Sequence, residues 1–429
     1  MPPIRFCMVT TFYPPTNFGG DGVQVERLAH LLAGHGHEVT VVHAADAYRA
    51  LGGPNEVPAQ REGPIKVVPI STSAGAMSPL AIHLSGRPLF SKRQLERALR
   101  GPFDVIHFHN PSLIGGPGVF ELGEASLRLY TAHEQWLVCP THVLWKNKRE
   151  ICEKPTCTRC SLTYRRPPQP WRRSNFLERS MTQLDALIAP SRTSAKLHQR
   201  FADILPIEHI PHFVPPTPGG NGRVAGSRPY FLFVGRHESI KGLGPLIKAF
   251  RRRGGEDLLI AGDGPDTDAM KAAAADSPHI KFLGWQDRDQ LDSLYRHALA
   301  AVVPTQGHES FGLVAVEAFA RGTPAIVHGV GALQELIEES DGGLSYRTED
   351  ELHRALDLIA GDPAAQAAFG ERGRAAHREL WAPEVHLRRY LQLIEELAAW
   401  RGADALARTA AEAGGEADRG RLLELELLR

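Results

Sequence analysis

Short apolar runs alternate with amphipathic stretches along the first half of the chain. Residues 5–11, 38–44, 65–70, 104–109, 127–133 and 186–190 are rich in Val, Ile and Phe and bounded by Gly, Pro or polar residues, which predicts strands. The run VTVVHA is apolar on both faces, as a central parallel strand requires. Between the first two runs, Val25, Leu28, Ala29 and Leu32 recur at helical spacing and Gly34 offers a stop. Strand, Gly-containing turn, helix and strand make a βαβ unit. Residues 215–228, dense in Gly and Pro, predict a linker. Beyond it the pattern restarts, with strands at 230–235, 257–262, 280–283, 300–304 and 324–328 and helical stretches at 248–253, 291–297 and 314–321. The whole predicts an α/β chain of two doubly wound, Rossmann-like domains. Residues 385–400 are amphipathic. Residues 401–429, rich in Ala, Glu and Arg, predict a loosely tied helix or a frayed tail.

Length and composition narrow the class. The 429 residues are 42% hydrophobic and 23% charged, as in a folded enzyme and unlike a disordered chain. No apolar run reaches the roughly 18 residues of a membrane span. The start lacks a basic segment followed by an apolar one, so a secretory signal is not expected. The expectation is a cytoplasmic protein. Lys plus Arg and Asp plus Glu both number 49, so net charge offers no argument for nucleic acid as a partner. Four of the five cysteines, Cys139, Cys152, Cys157 and Cys160, fall within 22 residues, which reads as a local site. They lie in or beside residues 141–173, which hold nine cations and two acids.

Four segments could carry chemistry. Residues 304–324 run from a strand end through a polar loop into a helix beginning near Phe311 and Gly312. Free N–H groups at a helix start favour an anionic ligand. Glu309 in the loop and Glu317 in the helix could accept bonds from ligand hydroxyls. Two carboxylates alone more often cap or solvate a helix. In Val234-Gly235-Arg236-His237-Glu238-Ser239-Ile240-Lys241-Gly242, two cations at a strand end suit a diphosphate, or are plain surface charges. The turns Gly262-Asp263-Gly264-Pro265 and Asn17-Phe18-Gly19-Gly20-Asp21-Gly22 follow strands. The second could bring backbone amides to a phosphate, although it does not match G-x-G-x-x-G. His133 closes the fifth apolar run, where ligands gather; a lone His is more often structural.

Together these residues resemble the retaining, sugar-nucleotide-dependent glycosyltransferases of family 4, which have the GT-B fold. The matching pieces are Phe18-Gly19-Gly20, Gly36-His37-Glu38-Val39, Thr131-Ala132-His133, Gly235-Arg236 with Lys241-Gly242, Gly262 to Pro265, and Glu309 to Glu317 with Gly322-Thr323-Pro324. They run in order from about residue 5 to residue 400. The resemblance implies two Rossmann-like domains facing each other across a cleft. The acceptor-side domain would be 1–214, with its Cys-rich basic insertion at 139–173. After the linker at 215–228 the donor-nucleotide domain would be 229–382. A helix at 383–400 would return to the first domain, followed by the tail at 401–429.

The resemblance also implies roles. Arg236 and Lys241 would hold the donor diphosphate and stabilise the leaving group. Glu309 and His133 would meet the transferred sugar, and Glu317 the ribose. Gly19, Gly20, Gly235, Gly264, Ser310, Phe311, Gly312 and Leu313 would line the donor, partly through backbone amides. Anomeric configuration would be retained without a catalytic metal. A nucleoside-diphosphate sugar would be the donor, and a glycan, lipid-linked or small-molecule acceptor would receive the sugar, as in polysaccharide biosynthesis. The cysteine insertion departs from many members. Cys157-x-x-Cys160 has metal-knuckle spacing, and with Cys139 and Cys152 it predicts a structural zinc; an iron–sulfur cluster or plain buried thiols are the alternatives. The basic loop suggests docking of an anionic acceptor and peripheral contact at the inner membrane surface. Other readings keep the fold: an inactive sugar-nucleotide-binding subunit, a sugar-nucleotide epimerase, or a phosphorylase, for which no pyridoxal-phosphate lysine motif is seen.

Overall fold

The computed structural model describes residues 2–54, 63–216 and 228–427. Most of the expected linker, 217–227, lies outside the described residues. Fifteen described strands follow in order: β1 (Arg5–Thr10), β2 (Glu38–Ala44), β3 (Ile65–Ile70), β4 (Phe103–Asn110), β5 (Ala125–Thr131), β6 (Trp145–Lys146), β7 (Glu150–Ile151), β8 (Ala186–Ala189), β9 (Ile207–His209), β10 (Tyr230–Val234), β11 (Asp257–Ala261), β12 (Ile280–Gly284), β13 (Ala301–Val303), β14 (Ala325–His328) and β15 (Gly343–Tyr346). The short β9 and β15 were not expected. Each pairs along one side only, so neither needs the long apolar run that marks a central strand.

The chain divides into two compact units: 1–142 with 157–211 and 383–429, and 143–156 with 212–382. The first unit carries a seven-stranded sheet in the order β3-β2-β1-β4-β5-β8-β9. Every pairing is parallel. β1, Val42 and Ala44 of β2 and Phe108 of β4 pack with Phe120, Tyr130 and Trp136 in its core. The second unit carries a six-stranded parallel sheet, β12-β11-β10-β13-β14-β15. In both, connections leave a central strand in opposite directions, between β1 and β4 and between β10 and β13. In open α/β sheets ligands bind at the carboxyl ends of the strands beside such a switch point.

The chain ends in two helices, Pro383–Trp400 and Asp404–Leu427, that pack with the first unit. Tyr390 bonds His107 Nδ1 at 2.9 Å, His386 Nδ1 bonds the Pro211 carbonyl at 2.7 Å, and Arg401 Nε donates to Asp185 at 2.6 Å. The tail is therefore helical to Leu427, with Leu406, Ala410 and Ala413 buried.

Five buried histidines set an acid limit on the first unit. Burial lowers His43, His133, His198 and His386 to about 4 and holds His107 well below its ordinary value. A ring that resists protonation when folded but accepts a proton when unfolded, near pH 6.5, gives stability that is complete above that pH. It is lost as pH falls from about 6.5 to about 4. Urea midpoints should drop by the equivalent of a few kcal/mol across that window. A flat midpoint there would contradict the burial of these rings.

Candidate active site

The second unit's switch point gathers the strongest motif residues. β10 runs into Gly235, whose N–H donates to the Ala261 carbonyl at 3.1 Å. The next turn carries Arg236 and Lys241, and Gly242 follows at φ 71°. A Cβ on Gly242 would run into the Pro304 carbonyl, so only glycine lets this turn close on the loop after β13. That contact places Lys241 Nζ 2.6 Å from Glu309 Oε1. Thr305 Oγ1 donates to the same oxygen at 2.9 Å. Burial pushes the Glu309 carboxyl up, but Lys241 and the two hydrogen bonds outweigh it and hold it below the usual range. It is ionised at neutral pH and already neutralised by a cation.

Arg236 Nε donates to Glu238 at 2.7 Å, and its side chain is 46% exposed. The turn at 262–265 interlocks with it. The His237 N–H donates to Asp263 O at 3.1 Å, and a Cβ on Gly264 would lie 2.6 Å from the His237 backbone. Gly264 thus keeps the Arg236 turn in shape. Gly312 caps the helix Leu313–Phe319 at φ 110°, where a Cβ would strike Leu333 and Leu336. Phe311 is buried edge-on between His212 and Trp381, which fixes the backbone of Ser310 and Leu313 on either side. Glu317 accepts from Tyr295 Oη at 3.2 Å.

The first unit's switch point holds a different set. Gly19 caps the helix Gly20–Gly34, so Gly20 and Asp21 form its first turn. Asn17 braces the cap, its Nδ2 donating to Gly19 O at 2.6 Å. Asn110 at the end of β4 donates to Asp21 at 2.8 Å. Burial raises the Asp21 carboxyl, and Glu134 raises it further. His133 lies two residues past β5 rather than ending it. Its Nε2 is 2.9 Å from His109 Nδ1. The His107 and His109 rings lie 4.0 Å apart, and His107 Nε2 bonds Thr131 at 2.8 Å. Glu134 pairs with His142 Nδ1 at 2.7 Å. His109, Asn110, Asp21 and Glu134 were not singled out in the sequence. The His-x-His-Asn run at the end of an apolar strand was the available signal, because it lies at the sheet edge where His133 was sought.

The structure gives the zinc expectation no support. Among the described residues no group of three or more His, Cys, Asp or Glu side chains could hold a metal. Cys139 and Cys160 are buried, Cys157 is exposed, and Cys152, just past the β6–β7 hairpin, belongs to the second unit. Burial pushes the Cys157 thiol up, with Cys139 and Cys160 adding to it. Arg172 anchors the insertion instead. Its guanidinium donates to the Trp136 carbonyl at 2.6 Å and Leu137 at 3.1 Å and lies 4.4 Å over the Trp171 ring. One of the nine cations is thus a structural post. Trp145 of β6 is also buried, and a Cβ on Gly307 would lie 3.6 Å from its ring, so the hairpin packs on the loop that carries Glu309.

Two family models match the chain. Residues 18–217 match the family model described as Glycosyltransferase Family 4, and residues 221–376 the model described as Glycosyl transferases group 1. An uncharacterized glycosyltransferase of Methanocaldococcus jannaschii is 26% identical over 84% of this chain and 90% of its own. A glycogen synthase of Mycobacterium tuberculosis is 36% identical over 35% of this chain and 37% of its own length. Among solved structures, sucrose-phosphate synthase of Thermosynechococcus elongatus superposes with a TM-score of 0.69 at 20% identity, covering 92% of this chain and 99% of that one. Anabaena HepE in complex with UDP-glucose gives 0.66 at 15% identity over 92% and 100%. These likenesses establish the GT-B fold. No described helix is long and apolar enough to cross a membrane.

Proposed function

We propose that this chain, which carries family 4-like and group 1 glycosyltransferase domains on a GT-B scaffold, moves a sugar from a nucleoside diphosphate to an acceptor hydroxyl with retention of anomeric configuration. The observation that carries the donor assignment is the Lys241–Glu309 pair at the switch point of the second sheet. Without donor each charge neutralises the other. An incoming diphosphate competes for Lys241 and for Arg236, and Glu309 is then released toward the sugar's hydroxyls. Glu317, on the helix behind, takes the ribose. The acceptor oxygen bonds to the anomeric carbon, the bond from that carbon to the β-phosphate oxygen breaks, and the departing diphosphate takes up the acceptor's proton. Lys241 and Arg236 stabilise the charge on the leaving group as it grows, and they are positioned before the reaction starts.

In the first unit His133 is the group offered to the sugar. Its bond to His109 couples the tautomers of the two rings, and its low pKa keeps it neutral, so it hydrogen-bonds as an uncharged group. The relatives named above include a protein solved with UDP-glucose, which makes a uridine donor the first to try.

The test is a melting-temperature panel of UDP-, GDP-, ADP- and TDP-sugars against the wild-type chain and Arg236→Ala. A ligand at 100 times its Kd stabilises by about 2.7 kcal/mol. One donor should raise the melting temperature, and Arg236→Ala should remove most of that rise. No shift with any donor, or an equal shift in the variant, would overturn the site.

A further inference from the structure

The helix Met77–Ser85 is apolar on both faces. It buries Ser78, Pro79 and Ile82 against the first unit. Met77, Leu80 and Leu84, three and four residues apart, share the outer face and are 60%, 41% and 41% exposed. Just beyond it Leu89 and Phe90 are 60% and 53% exposed. Single exposed apolar residues are ordinary, but five within fourteen residues form a patch that calls for a cover.

The charge around the patch says what covers it. Residues 63–95 contain no Asp or Glu, while Arg87, Lys92 and Arg93 are exposed among the apolar positions. Two flanking acids are paired with these cations, Glu121 with Arg87 at 3.4 Å and Glu96 with Lys92 at 3.7 Å. The helix is tied to the basic insertion as well. His83 Nε2 bonds the Pro167 carbonyl at 2.7 Å, and Trp171 Nε1 donates to His83 O at 3.0 Å. On that insertion Leu162 is 61% exposed, with Arg159, Arg165 and Arg166 also exposed. Apolar side chains set among cations, on two segments held together, have the composition of an interfacial membrane contact. A second copy of the chain is a poor cover, since a symmetric contact would set one acid-poor cationic face against itself.

We propose that this face docks the first unit on an anionic lipid bilayer. Met77, Leu80, Leu84, Leu89 and Phe90 enter the boundary between headgroups and acyl chains. Arg87, Lys92 and Arg93 lie against the lipid phosphates. The inference does not depend on the glycosyltransferase reading and is tested without any sugar nucleotide.

The test is co-sedimentation of the full chain with phosphatidylcholine vesicles, with and without phosphatidylglycerol. Binding should be about tenfold stronger with the anionic lipid and should weaken with salt. Leu80→Gln/Leu84→Gln/Leu89→Gln should lower it about tenfold through lost apolar burial, and Lys92→Glu/Arg93→Glu should abolish the preference for anionic lipid. If the triple variant does not fold, the charge variant decides alone. No sedimentation with either vesicle, or binding untouched by the variants, overturns the proposal. Self-association of the wild type without vesicles that the triple variant abolishes gives the face to a second copy and also overturns it.

Discussion

Replacing Glu309 by Ala should lower kcat/KM for sugar transfer by about 10²–10³-fold, the usual effect of removing one preorganised charged group from a transition state. Lys241→Ala should cost about as much. The fold should survive both changes. Lys241 keeps 31% of its side-chain surface, so loss of its partner leaves a cation that water can reach. The double variant should lose little more than either single one, because the two side chains share one bond at 2.6 Å and act as a unit. Steady-state rates with the donor found by the melting panel, beside melting curves of each variant, check this. Transfer by Glu309→Ala at near wild-type rate would remove Glu309 from the site. Two full, additive losses would mean the residues act separately.

Trp381→Ala should destabilise the second unit by about 3–5 kcal/mol, the range for emptying an aromatic site in a packed core. Trp381 is fully buried, stacks on Phe319 at 5.8 Å and meets the Phe311 ring edge-on at 6.4 Å. Its carbonyl accepts the Val214 N–H at 3.1 Å, which ties the start of the unit to its end. The cavity would open beneath Phe311, next to Gly312 and the amides offered to the donor. Donor affinity should therefore fall together with stability. The indole N–H has no hydrogen-bond partner among the described residues, so Trp381→Phe, which keeps most of the volume, should lose far less. Urea titration of the three proteins checks the order. A loss below about 1 kcal/mol in the Ala variant would show that the site collapses without cost.

Much of this protein was legible from local chemistry. Val- and Ile-rich runs gave the central strands of both sheets, because a strand buried on both faces must be apolar throughout. Gly242 and Gly312 marked the turns where a side chain would not fit. The motif residues Arg236, Lys241 and Glu309 fell in the loops that follow strand ends, where open α/β sheets hold ligands, and Glu317 on the helix beyond. The sequence resemblance and the strand pattern pointed to the same scaffold, which the parallel sheets of both units then showed.

What the sequence determined by itself was therefore the alternation of strand and helix, the breakpoints between them and the chemical type of the residues at each break. These are set by burial and backbone sterics over a few neighbouring residues. Strand order was decided by tertiary structure, because parallel pairing joins segments separated by whole crossovers. That order brings Lys241 to Glu309 across 68 residues and His109 to His133 across 24. It also decided the fate of the cysteines. Their spacing suited a metal, but Cys152 falls in the second unit while Cys139, Cys157 and Cys160 fall in the first, and a half-buried Arg172 holds the loop. The exposed face of Met77–Ser85 was likewise hidden from pattern alone. A helix apolar all round reads as a core helix until the structure shows which of its two faces the core uses.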